Sequence, residues 1–383
     1  MLDLGVLARS RKENERRLPI HPTHLPRLDA DIRAHLFVES GYGEGFGVTD
    51  EQLSIVVAGV RPREQLVAEC DVLVQPKPDV ADLQEMRTGQ ILWGWPHCVQ
   101  DPALTQVAID RDLTLIAFEA MNHWNRDGSF GLHVFHKNNE LAGYCSVLHA
   151  LQLAGSTGDY GRRLRAVVIG FGATARGAVT ALNAHGVDDV RVLTSRKVAA
   201  VGSPIHSARI VQAVYDPRDP SAAHAMTDAG KVPIPEFLAG NDIVVNCVLQ
   251  DPTAPLTFLT TADLGAFAPR SLLVDVSCDE GMGFDWARPT TFDDPAFVVG
   301  DGLLYYAVDH SPSYLWESAT WEISDALIPH LRTVLGGPDA WATDETIARA
   351  IEIRAGVVLN PDILTFQGRS EVHPHPRAAV AAG

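Results

Sequence analysis

Short apolar runs recur along the chain, separated by longer mixed segments, and this alternation predicts an α/β fold. Runs at 2–7, 35–38, 72–74, 91–94 and 113–118 have strand length. Between them, 22–34 and 102–111 read as helices, each with a proline beside a capping residue, Thr23 or Asp101. Residues 138–154 place Leu141, Ala142, Cys145, Leu148 and the apolar group at 151–153 on an approximate helical stripe.

A glycine-rich, polar break at 155–161 ends this first series. A second begins at Arg165 and continues with strands expected at 190–193, 208–211, 243–247, 272–276 and 297–299. Two further helices are expected at 316–334 and 343–356, and the tail from His373 reads as frayed. The second unit therefore sits inside the sequence, and C-terminal helices complete the first. The expected architecture is α/β: two Rossmann-like, doubly wound parallel-sheet domains, 1–137 plus 315–383 and 138–314. Long helices would join them around a central cleft, a common place for a ligand.

Charge narrows the function. Lys plus Arg number 31 and Asp plus Glu 48, a net charge of −17. Without a basic run, such a chain repels nucleic acid and anionic membranes. No apolar stretch approaches the length of a bilayer span, and the first residues lack a basic n-region and a signal-length apolar core. The five cysteines are scattered, with no C-x-x-C pair. These features suggest a reduced, cytoplasmic protein. The histidine pairs 21/24, 133/136 and 373/375 lack the company of a metal site, so no metal is expected.

The most informative local motif runs from Arg165 to Val179 as strand, glycine turn and helix. Gly170 permits the tight turn, Gly172 lets backbone N–H groups approach a pyrophosphate, and Ala175 packs helix against strand. The next strand ends in Thr194, Ser195, Arg196 and Lys197. NAD sites usually place a carboxylate there for the ribose hydroxyls. Ser195 and Arg196 can instead donate to a 2′-phosphate, which favours NADP(H), with NAD(H) the alternative.

Polar residues also follow the strands of the first series. Arg17 lies in a charged loop, Lys77 between two prolines, and His97 after an apolar run ending in Trp95 and Pro96. A parallel sheet would bring all three to one rim. A guanidinium fork can grip a carboxylate, an ammonium can polarise a carbonyl, and an imidazole can carry a proton near neutral pH. In the second series, Asp279 follows a buried strand and precedes glycines. Each of these residues also has a bland reading: solvated loop, core histidine or turn aspartate.

Taken together these motifs resemble the alanine dehydrogenase / pyridine nucleotide transhydrogenase superfamily. The resemblance implies that Arg17, in Glu15–Pro22, holds a keto-acid carboxylate. It implies that Lys77 binds substrate, His97 is catalytic and Asp279 serves catalysis beside the nicotinamide. Three stretches are more similar to the opine-forming, carboxyethyl-ornithine synthase branch. They are Phe135–Tyr144, Val308–Ser313 and Thr194–Arg196. The implied reaction is NADPH-dependent condensation of a pyruvate-like keto acid with the side-chain amine of ornithine or lysine. The implied assembly is a homo-oligomer. The rival expectations are reductive amination by ammonia, as in alanine dehydrogenase, and a silent nucleotide-binding sensor.

Overall fold

The computed structural model describes residues 1–196, 205, 207–216, 219–250 and 255–378. Lys197 and the end of the tail, 379–383, lie outside the described residues. The chain folds into two compact units, Met1–His136 with Trp316–Gly383, and Lys137–Leu315.

The first unit is built on an eight-stranded sheet. From one edge the order is Val357–Val358, Ile351–Arg354, Thr114–Ala117, Ile91–Gly94, Val72–Gln75, Leu4–Val6, Leu36–Glu39 and Gly59–Arg61. The last six are mutually parallel. All but the half-buried edge strand Gly59–Arg61 are continuously buried, as strands covered on both faces must be. The order reverses between Leu4–Val6 and Val72–Gln75, where Val6 pairs with Val74. Loops leaving their carboxyl ends diverge there and leave a crevice, the usual ligand position in such sheets.

Three expected helices are corrected. Residues 343–356 form a helix only over Glu345–Ala350, then return as strand Ile351–Arg354, antiparallel to Thr114–Ala117. Ile351, Glu352 and Ile353 are all buried there, across a register shift that sends the two isoleucines into different core clusters, and a turn through Ala355 and Gly356, both at positive φ, reverses the chain. Residues 316–334 break at Pro329 into Trp316–Leu327, a 3-10 turn Ile328–His330, and Leu331–Leu335. Proline lacks the amide that the next turn of helix would need. Residues 22–34 split likewise, at an extended Leu28, into Pro22–Arg27 and Ala30–Arg33.

The second unit repeats the winding in a nine-stranded sheet. Its parallel strands run Arg209–Asp216, Asp189–Thr194, Arg165–Ile169, Ile243–Asn246, Leu272–Asp275 and Leu303–Tyr306. Antiparallel strands finish both edges, Ala296–Val299 on one side, Asp219–Thr227 and Gly230–Pro233 on the other. The pattern reading missed the latter pair because Asp219–Thr227 contains no apolar run. It missed Leu303–Tyr306 because only a Gly300-Asp301-Gly302 turn separates that strand from its neighbour.

Helix Ala173–Ala184 follows the glycine turn and crosses helix His136–Ala154 at backbone contact. A Cβ on Gly177 would stand 1.7 Å from the Glu140 carbonyl oxygen, and one on Gly143 1.9 Å from that of Thr174. Neither backbone can yield without parting the helices. Gly177→Ala is therefore expected to destabilise the second unit by about 1–3 kcal/mol, the usual cost of overpacking. Gly172→Ala adds a Cβ that meets nothing within 4 Å and is expected to be neutral. Denaturant midpoints of the two variants test the contrast.

Candidate active site

In the first unit, Lys77 follows strand Val72–Gln75 in a stretch held at both ends. Ser10 Oγ donates to the Lys77 carbonyl at 2.5 Å, and Gln75 Nε2 reaches the same oxygen at 3.3 Å. Just beyond, Asp79 and Asp82 form a reciprocal capping box at the start of helix Val80–Glu85. Buried Asp82 also receives Arg11 Nε at 3.0 Å, an Arg63 guanidinium nitrogen at 2.7 Å and Gln75 Nε2 at 2.8 Å. Burial pushes the Asp82 carboxyl upward, and Arg63 works against that. Two prolines and this carboxylate hub fix the lysine's backbone, so less entropy is lost when its ammonium engages a ligand.

His97 follows the adjacent strand, Ile91–Gly94, and adopts φ +48, a left-handed conformation rare outside glycine. Its backbone N–H donates to Glu119 Oε1 at 2.7 Å, and its Nδ1 lies 3.7 Å from the same oxygen. Glu119 follows the next strand, Thr114–Ala117. Burial and the Glu352 carboxylate push its carboxyl upward, while Lys77 pulls it down. Glu119 thus ties the Lys77 and His97 loops into one group at neighbouring strand ends. The sequence reading overlooked it, although it obeys the same placement rule as the other two.

Arg17 is buried. Its Nε donates to Glu15 Oε1 at 2.8 Å, a second guanidinium nitrogen pairs with Glu15 Oε2, and its cation lies 5.4 Å from the Trp95 ring centre. A fork already occupied by its own neighbour has its direction set before any substrate arrives.

In the second unit, Gly170 has φ +112 and donates its N–H to Leu193 O at 2.8 Å. A Cβ there would stand 3.1 Å from Cys247 O on the far side of the strand reversal. Gly172 precedes helix Ala173–Ala184 with no side-chain cap and open space where its Cβ would be. Ala175 is fully buried. These features fit a diphosphate: uncapped amides, partial positive charge and room for close approach. Thr194 is buried at its strand end and its Oγ1 accepts the Arg196 N–H at 3.2 Å, with Ser195 and Arg196 both exposed.

Asp279 is half-buried, and burial raises its carboxyl above the ordinary range. Its loop is anchored by Asp275. That fully buried carboxylate accepts from Asn246 Nδ2 at 2.9 Å, Cys278 N–H at 3.1 Å and Tyr305 OH at 2.7 Å. The sequence analysis singled out Asp279 in this stretch and passed over Asp275. Further along the chain, His310 Nδ1 meets Asp309 Oδ1 at 2.6 Å, with the imidazole fully enclosed. Among the described residues no group of three or more His, Cys, Asp or Glu is placed to hold a metal, and no helix is long and apolar enough to cross a membrane.

Comparison with known proteins identifies the two units by family and fold. Residues 5–140 match the alanine dehydrogenase/PNT N-terminal domain and residues 154–361 the C-terminal domain. The chain is 26% identical to an alanine dehydrogenase of Mycobacterium tuberculosis, over 93% of its own length and 95% of the relative's. It is 24% identical to an N(5)-(carboxyethyl)ornithine synthase of Clostridium botulinum, over 83% and 90% respectively. Among solved structures, an L-alanine dehydrogenase superposes with a TM-score of 0.74 at 20% identity, covering 96% of this chain and 99% of that one. A transhydrogenase from Sinorhizobium meliloti gives 0.68 at 19%, covering 94% and 99%.

Burial raises the Asp275 carboxyl to about 6, so the folded protein holds that proton more tightly than the unfolded chain. Its stabilising part is complete at low pH and is lost as pH rises through about 6. Asp275→Asn is therefore expected to gain stability relative to wild type between about pH 4 and pH 7, by at most about 3 kcal/mol. Paired urea titrations across that range measure the difference.

Proposed function

The chain belongs to the alanine dehydrogenase/PNT family and is an oxidoreductase of it; from that premise we propose that it condenses a 2-oxo acid such as pyruvate with the side-chain amine of ornithine or lysine and reduces the product. The observation that carries this reading is the grouping of Lys77, His97 and Glu119 at three neighbouring strand ends. In it, a cation able to polarise a keto oxygen stands with an imidazole able to carry a proton.

In this reading Arg17 and Lys77 hold the carboxylate and keto oxygen. The amine attacks the keto carbon, and the carbinolamine loses its hydroxyl as water with a proton delivered by His97. The resulting imine carbon accepts hydride, which a reduced nicotinamide supplies. Gly170, Gly172 and Ala175 shape the cradle for its diphosphate. Asp279 balances positive charge at the iminium. Ser195 and Arg196, exposed past a strand end that bears threonine rather than a carboxylate, support NADP(H). The similarity to a carboxyethyl-ornithine synthase supports the amine acceptor, and the Asp309–His310 pair offers an anion for a substrate ammonium.

A second reading, reductive amination of a 2-oxo acid by ammonia, draws on the alanine dehydrogenases among the relatives. The two separate in one assay. Cofactor oxidation is followed with pyruvate plus ornithine, lysine or ammonia, using NADPH and NADH in turn, and products are weighed by mass spectrometry. The expected result is NADPH consumption with a basic amino acid and a product bearing an added carboxyethyl group. Consumption only with ammonia and NADH would favour the second reading. His97→Ala is expected to lower kcat by about 10²–10⁴. Arg196→Ala is expected to cost NADPH about tenfold in affinity relative to NADH, measured by fluorescence titration.

A further inference from the structure

Glu119 enters the grouping above only as a tie between loops, and a second carboxyl of the first unit, the buried Glu352, has no part in it. Glu119 stands just past strand Thr114–Ala117, and Glu352 lies on Ile351–Arg354, which pairs with that strand. One oxygen of each has a partner: Glu119 Oε1 takes the His97 N–H, and Glu352 Oε1 accepts from Asn360 Nδ2 at 2.9 Å. The other oxygen of each, Oε2, is shut off from solvent with no hydrogen-bond partner among the described residues.

An ionised carboxylate oxygen buried without a donor is costly, and two in one neighbourhood cost more. A single proton on either carboxyl removes the repulsion between the two charges. We propose that Glu119 and Glu352 share one proton behind His97, and that Glu352 thereby governs how readily His97 takes up a proton of its own. Glu352 is then a positioning residue acting through Glu119.

The surrounding charges fit. Lys77 faces Glu119 from the loop after Val72–Gln75 and favours its ionised form. His97 and Cys98 approach from the loop after Ile91–Gly94, and the buried Cys98 thiol is pushed up by burial and by both carboxylates. His133 of strand Phe130–His133 meets the Glu119 carbonyl at 3.2 Å, and burial keeps its imidazole neutral to about pH 4. Asp362 of helix Pro361–Phe366 disfavours charge on Glu352. Both carboxyls are pushed upward, as sharing a proton requires. While Glu119 holds that proton it offers His97 a hydrogen-bond acceptor without full negative charge. Neutralise Glu352, and Glu119 ionises beside the His97 Nδ1.

The test reads His97 directly. Diethyl pyrocarbonate acylates only neutral imidazole, so its rate at the His97 peptide, followed by mass spectrometry between about pH 5 and pH 9, reports the protonation midpoint. Glu352→Gln is expected to raise that midpoint by about one pH unit, the effect of a new opposite charge at this distance. Glu352→Met, which removes the charge without adding a donor, shifts it in the same direction and keeps the test open if the amide variant folds poorly. Glu119→Gln abolishes the shift, and the double variant matches it. A midpoint unmoved in both Glu352 variants, or moved equally with Glu119→Gln present, overturns the proposal. The readout is chemical rather than catalytic, so it stands whether or not the proposed reaction does.

Discussion

Parallel hydrogen bonding between the first and fourth parallel strands of each unit, counted along the chain, is the constraint on which the candidate sites depend. In the first unit Leu4–Val6 pairs with Val72–Gln75, and in the second Arg165–Ile169 pairs with Ile243–Asn246. Each pairing forces the chain to cross over in opposite directions on its two sides. The loops leaving these strands then lie on one rim, with backbone polar groups that still need partners. That need explains why the rims carry Ser10, Gln75 and Asp82 around Lys77, and Asn246, Asp275 and Tyr305 around the Asp279 loop.

Buried and half-buried carboxylates recur as the device that stiffens these rims. Asp82, Glu119 and Asp275 are each pushed upward by burial, and each is tied to groups from more than one loop. A carboxylate in that position holds backbone N–H groups that no strand or helix can satisfy. It also places an adjustable charge within reach of the residues that meet substrate. Stiffening and electrostatic tuning are therefore carried by the same side chains, and losing one disturbs both.

Much of this was legible in the chain. The apolar runs located most of the parallel strands, because strands buried on both faces need uninterrupted apolar stretches; the half-buried Gly59–Arg61 escaped, as did Leu303–Tyr306, set off only by a tight turn. The glycine turn at Gly170 and Gly172 was legible because diphosphate approach restricts residue choice so strongly. The features that escaped were non-local. Glu352 acquires its meaning only when Ile351–Arg354 joins the sheet edge, and the helical periodicity around it pointed elsewhere. Pro329 cut a helix whose apolar stripe continued past it. Gly143 and Gly177 read as ordinary helix residues until the crossing brought each to a carbonyl oxygen.

Recognition of a 2-oxo acid by the first unit's rim, through Arg17 and Lys77, is the claim on which the proposed chemistry rests. Calorimetric binding of oxamate, an unreactive pyruvate analogue, in the presence of oxidised and reduced cofactor tests it most directly. Binding is predicted for the native protein, weakened about tenfold or more in Arg17→Met and in Lys77→Met, the loss expected for a charge-assisted contact, and unchanged in the exposed Arg332→Met. Equal affinity in all four proteins, or no binding by the native one, would contradict it.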